Sequence, residues 1–309
     1  MKQGIFYNSP KASCSIHESG LMCYNALTSS GLYQLTYTEQ QSIVSGDFDF
    51  AIFNHHPWTN AWMIESMHYI PYPKYTIVTE VGDYSNLLPL TPLLFDKYII
   101  LDPTIPDFNA ALNTSTKPLS IYGFPRPLEL IHFNQSLPER ITIGSFGLPT
   151  VGKNWEEIIV RTQKEFDDAI IRFNIPHGTH VPNNEYTIKQ IIKSCSGLIY
   201  KPNIELQITH HYFNKEELVQ WCAENTLNVF LYNRNQPGLS ATTDQAIVAE
   251  RPIYVSKNNT FRHILEYLNP YPQTFKEAIE NTLPAVLTMK KNWSPHMFAK
   301  KFEQILLSE

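Results

Sequence analysis

The feature that most constrains this chain is an alternation of apolar runs and helical segments that fills its second half. "ITIGSF" (141–146) leads to "NWEEIIVRTQKEF" (154–166), "DAIIRFNIP" (168–176) to "YTIKQIIKSCSGLI" (186–199), and "IELQITHHY" (204–212) to "NKEELVQWCAENT" (214–226). "LNVFLYN" (227–233) and "PIYVS" (252–256) close the series around one more helix-like stretch. The runs are β-branched, aromatic and nearly continuous in apolar character, as strands covered on both faces must be. Strands of that kind separated by helices specify βαβ units and a parallel sheet. Asn214 is a natural N-cap for the helix that follows it.

The first half repeats the theme less regularly. "GIFYN" (4–8), "FDFAIFN" (48–54), "KYTIVTE" (74–80), "KYIILD" (97–102) and "LSIYGF" (119–124) read as strands, with an amphipathic helix near 19–30. The Pro-containing stretch "PRPLELIHFNQSLPER" (125–140) reads as the linker, and helices are expected over 273–291 and 295–307. The expected fold class is α/β: two Rossmann-like doubly wound domains, 1–136 and 137–309, facing across a cleft. The terminal helices are free to pack back on the first domain. In such sheets ligands bind beyond the carboxyl ends of the strands.

Composition narrows the class. With 43% hydrophobic and 17% charged residues in 309, the chain can bury two cores. No apolar run reaches the ~18 residues of a membrane span, and the N-terminus reads as a strand without a signal peptide. Four cysteines without a C-x-x-C pair fit a reduced, cytoplasmic setting. A net charge of −5 with no dense Lys/Arg block argues against nucleic acid as a partner.

Three strand exits in the second half carry ligand-compatible residues. After 141–146 come Gly147, Gly152 and Lys153, where glycines admit a ligand to the backbone and the lysine offers a point charge for phosphate. Tyr212 and Phe213 follow the 204–212 run, beside a backbone edge able to hold a flat base. The third exit is "NRNQPGLSATTDQAIVAE" (233–250): Ser240, Ala241, Thr242 and Thr243 sit where free amides suit a phosphate, and Asp244 can accept from a ribose. An ordinary turn, aromatic packing and a capped helix remain open as plain readings of each exit taken alone.

Residues 143–256 together resemble the carboxyl-terminal domain of GT-B glycosyltransferases. The shared pattern is a Gly-containing strand end with a downstream lysine, a strand followed by "EEL", a further strand, and a Gly-Leu block ending in "RPIYVS". The resemblance implies that Lys153 faces the diphosphate of a nucleotide sugar and that Ser240, Ala241 and Thr242 offer backbone donors. The departures are specific. Gln245 stands in the family's ribose-binding acid position, with Asp244 beside it, and Pro237 takes the place of the earlier acid. Leu148 stands where an arginine often accompanies the lysine, and Arg234 can substitute from a neighbouring loop. Nucleotide-sugar binding carries over; the retaining mechanism tied to the paired acids does not.

The first half resembles the partner domain by architecture only, and would hold a glycan or other hydroxyl acceptor. An inverting transfer needs a base near neutral pH, for which His55, His56 and His17 are the candidates. Glu18, Glu80, Asp83 and Asp102 make the same strand ends acidic, although each can equally bond local backbone. "DFD" (47–49) precedes a strand rather than following one, and adjacent His210 and His211 point to opposite faces of a strand. No metal and no cofactor are expected. The reading is a metal-independent glycosyltransferase; a non-catalytic nucleotide- or sugar-binding relative and a nucleotide-sugar epimerase are its alternatives.

Overall fold

The computed structural model of the protein describes residues 2–10, 15–55, 62, 66–79, 95–110, 119–178, 184–233 and 238–307. The chain divides into two compact units, Met1–Glu129 with Asn292–Glu309, and Leu130–Lys291.

In the first unit the described strands are β1 (Lys2–Tyr7), β2 (Tyr33–Thr38), β3 (Phe50–His55), β4 (Lys74–Val78), β5 (Lys97–Ile100), β6 (Phe108–Ala110) and β7 (Leu119–Gly123). They form one sheet in the order β2-β1-β3-β4-β5-β7-β6. Every neighbouring pair is parallel except β6–β7. All six residues of β3 are buried, as the apolar run Phe50–Phe53 requires of a strand covered on both faces, with Asn54 and His55 buried at its end. Side chains alternate across the sheet, so β1 sends Phe6 to one core and Ile5 and Tyr7 to the other.

Two strands here differ from the sequence reading. "YQLTYT" of β2 was not among the expected runs because it is an edge strand: Gln34 and Thr36 are exposed, and apolar residues only alternate with polar ones. The short antiparallel β6 carries too few residues to register as a run.

The second unit is all parallel: β8 (Thr142–Phe146), β9 (Ala169–Asn174), β10 (Ile204–Thr209), β11 (Leu227–Phe230) and β12 (Ile253–Val255), in the order β10-β9-β8-β11-β12. Following α1 (Ser15–Ser29) in the first unit, the crossovers here are α2 (Trp155–Glu165), α3 (Asn184–Gly197), α4 (Lys215–Ala223) and α5 (Thr242–Val248). Asn214 caps α4 reciprocally: its side chain accepts from Glu217 N at 2.9 Å, while Glu217 accepts from Asn214 N at 2.9 Å. The stretch expected as one helix over 273–291 is two, α6 (Phe275–Asn281) and α7 (Leu283–Asn292). Pro284 suits the first turn of a new helix and cannot extend the old one.

The last helix, α8 (Pro295–Leu307), belongs to the first unit. Phe298, Phe302 and Ile305 recur at helical spacing and enter the core formed by Phe6, Ile52 and Ile99. Lys301 and Lys97 donate to Gly123 O and Ile305 O and pin the helix at two points. Residues 125–138 carry no regular structure, and Arg251 ties 135 and 136 to the second unit through their carbonyls at 3.0 and 3.1 Å.

Candidate functional site

In each unit the polar side chains gather at the carboxyl ends of the parallel strands. In the second unit β8 exits through Gly147, whose φ of +139° lies outside the range an L side chain adopts without strain. A Cβ at 147 would also collide with Lys153 Nζ, so glycine here is what lets the lysine fold back over the strand end. The Gly147 amide donates to Asn174 O at 3.1 Å, and Asn233 N donates to Gly152 O at 3.0 Å, which draws the exit of β11 against this loop.

The consequence is a buried ammonium. Lys153 is 6% exposed, and its Nζ donates to the phenol of Tyr232 and lies 4.4 Å from the centre of that ring. It forms no ion pair with a carboxylate among the described residues. A hydroxyl chain runs on from it. Tyr232 Oη meets Thr242 Oγ1 at 3.0 Å, and Thr242 Oγ1 meets Ser240 Oγ at 2.7 Å. A phenol and a ring face offset part of the cost of burying this charge, not all of it. Tyr232 registers the excess. Burial alone would push its phenol up, yet the Lys153 charge, with hydrogen bonds from Lys153, Thr242 and Ser240, holds it below the ordinary 10.0.

The other expected residues of this unit take distinct places. Thr243 is buried and donates to Ser240 O at 3.3 Å, with His263 Nε2 at 3.5 Å. Asp244 is buried on α5 and Ala241 is exposed at its start. Thr242 N lies 3.4 Å from the Ser240 hydroxyl. Tyr212 is 71% exposed past β10, where Asn174 holds the loop by donating to His211 O at 3.0 Å and accepting from its amide at 3.1 Å. Arg234 lies outside the described residues.

In the first unit the exits of β1, β2 and β3 meet the start of α1. His17 Nε2 lies 2.9 Å from Glu39 Oε1, and Tyr37 donates to the same oxygen at 2.7 Å. Asn8 donates to Tyr37 Oη and to His17 O, both at 3.0 Å, and Asn54 donates to Asn8 Oδ1 and Ile16 O, both at 2.7 Å. Gly20 makes room for this: a Cβ there would run into the Asn8 and Asn54 amides. The hydrogen bond with His17, then that from Tyr37, holds the Glu39 carboxyl below its ordinary value. His17 is 8% exposed; its Nδ1 makes no hydrogen bond among the described residues and lies 3.6 Å from Glu18 Oε1.

His55, at the end of β3, is 5% exposed and lies against Phe95, ring centres 5.7 Å apart. Asp102 accepts from Thr104 N at 3.0 Å and Thr104 Oγ1 at 2.7 Å, which caps a local turn. Asp49 accepts from Gln3 N at 2.7 Å ahead of β3. His56, Glu80 and Asp83 lie outside the described residues. Among the described residues no cluster of three or more His, Cys, Asp or Glu side chains could hold a metal ion.

Sequence reasoning missed Tyr232, Glu39, Tyr37, Asn8 and Asn54. Tyr232 read as the last apolar residue of a strand. Tyr37 sits on, and Glu39 directly follows, the strand the sequence did not announce.

No protein-family model matches the chain, and no curated protein does. Solved structures do. Anabaena Alr3699/HepE in complex with UDP and glucose aligns over 100% of both chains with a TM-score of 0.63 at 8% identity. A trehalose-6-phosphate structure from E. coli bound with UDP-2-fluoro glucose aligns over 99% of both with a TM-score of 0.62 at 10%. The alpha-glucosyltransferase AGT in complex with UDP aligns over 100% of both with a TM-score of 0.56 at 11%. At these identities the likeness is one of fold, and the fold is GT-B: two Rossmann-like domains.

Proposed function

We propose that the protein transfers a sugar from a nucleotide-sugar donor to a hydroxyl acceptor, with the donor held by the second unit and the acceptor by the first. The observation that carries this is the buried Lys153 ammonium, which has no described carboxylate partner and stands at a strand exit of a GT-B fold. A nucleoside diphosphate supplies the missing negative charge at that point. Lys153 and the Tyr232, Thr242 and Ser240 hydroxyls would face its oxygens, and the lysine would stabilise the charge that builds on the diphosphate as the sugar leaves. UDP is the first nucleotide to test, because the HepE, E. coli and AGT structures hold UDP or a UDP sugar.

His17 is the base we assign to the acceptor. What supports it is the acid beside it: Glu39 holds one ring nitrogen and stabilises the charged ring after proton uptake. The leaving-group charge is met by Lys153, so no divalent cation is assigned a role.

The test is release of nucleoside diphosphate from UDP-, GDP-, CDP- and ADP-sugars against a panel of polyol and glycan acceptors, with and without EDTA. Acceptor-dependent release from one donor, unchanged by EDTA, is expected. Binding without any release would favour the non-catalytic alternative, and altered free sugar without acceptor would favour an epimerase.

A further inference from the structure

The second unit holds another group of charges that takes no part in the Lys153 network. A pocket of about 350 Å³ opens between the start of α2, the exit of β12 and residues 271–273. Arg161, Lys257, Glu157, Tyr254, Tyr271 and Ser256 form its chemical wall. Arg161 is held from two sides: Nε donates to Glu157 at 2.7 Å and Nη1 to Tyr254 Oη at 2.9 Å. Its Nη2 has no protein acceptor among the described residues. Lys257 Nζ lies 4.4 Å from the centre of the Tyr271 ring and pairs with no described carboxylate. Arg161 and Lys257 against Glu157 leave one net positive charge on the lining.

This pocket is separate from the Lys153 network, and the chain shows how. Leu231 lines the pocket while the next residue, Tyr232, meets Lys153; Asn154 lines it while Lys153 turns the other way. The Tyr254 and Tyr271 rings stand 5.7 Å apart at 60°, and Tyr271 is fixed by its bond to Val255 O at 2.6 Å. Fixed ring faces, a hydroxyl and two cations suit a compact polar body carrying an oxyanion. The volume is at the small end of organic-ligand sites, on the order of 300–1,000 Å³.

We propose that this pocket is a second ligand site, selective for a small polyol that bears a phosphate or carboxylate group. Its oxyanion lies between Arg161 and Lys257, and its hydroxylated body lies along the two tyrosines and Ser256. The proposal does not depend on the Lys153 site being a nucleotide site.

Calorimetric titration of the full chain with ribose 5-phosphate, gluconate, inorganic phosphate and neutral ribose tests it. Ribose 5-phosphate or gluconate is expected to bind more tightly than inorganic phosphate, and ribose not to bind; which anion wins identifies the group. Lys257 is exposed, so Lys257→Glu folds, and it should weaken that binding at least about tenfold through loss of a charge-assisted contact. Lys153→Met should leave it unchanged, while UDP binding should show the opposite pattern. No binding of either organic anion at millimolar concentration would overturn the proposal. So would binding that ignores Lys257→Glu or disappears in Lys153→Met.

Discussion

The two units share a parallel sheet and a habit of gathering polar groups at strand exits, yet the groups gathered are opposites. In the second unit a lone ammonium is buried among hydroxyls, with Gly147 bending the loop to admit it. In the first unit a histidine is buried against a carboxylate, with Gly20 opening α1 to two asparagine amides. One exit is short of negative charge; the other holds an internally matched acid and imidazole. The scaffold therefore sets where chemistry sits, and a handful of residues set its sign. Under the proposed function, the donor diphosphate would go to the first kind of exit and the proton acceptor to the second.

The contrast can be broken from either side. The largest effect should come from His17→Gln, which keeps a polar group beside Glu39 and cannot take up a proton. Turnover should fall about 10²- to 10⁴-fold, with nucleotide affinity unchanged in a binding titration. A fall in affinity instead would tie His17 to the donor. Gly20→Ala should cost about 1–3 kcal/mol, because a methyl group must enter the Asn8–Asn54 pair; melting of the variant reads it. Gly197→Ala, where an added Cβ meets nothing within 4 Å, is the control and should be neutral or slightly stabilising.

Two titrations sharpen the electrostatic half. The Tyr232 phenol should ionise below 10.0, and Lys153→Met, which removes the charge that lowers it, should move that step upward in ultraviolet difference spectra. A step that stays in place would mean that Lys153 does not dominate the site. Glu39 gives the smallest and most local signal. Its lowered carboxyl adds stability that is complete above the ordinary glutamate value of 4.5 and drains away as pH falls through the lower folded value. His17→Leu, which removes the hydrogen bond that chiefly lowers it, should bring the Glu39 carboxyl resonance back toward its ordinary titration.

The parallel sheets were legible in the sequence because strands buried on both faces leave apolar runs, as Phe50–Phe53 of β3 and Ile253–Val255 of β12 do. β2 was not legible, because an edge strand needs only alternate apolar residues. Lys153 was legible as a residue between glycines and a helix, but its burial was not. That depends on Tyr232 reaching it from 79 positions away, and nothing in a run ending "VFLY" marks the last ring as polar. Glu39 escaped notice for the same reason: its meaning lies in His17, which a sheet register brings to it. Residue type alone does not separate the histidine candidates; the cross-sheet neighbour Glu39 is what marks His17, and His56 lies outside the described residues.

The most direct measurement is calorimetric titration of the protein with UDP, GDP, CDP and ADP, repeated on Lys153→Met. Methionine keeps most of the side-chain volume and removes the buried charge. One nucleotide should bind saturably, and the variant should lose about ten- to a hundredfold in affinity while its melting temperature holds or rises. Binding that is indifferent to Lys153→Met, or no binding by any of the four, would contradict the assignment of this ammonium to a diphosphate.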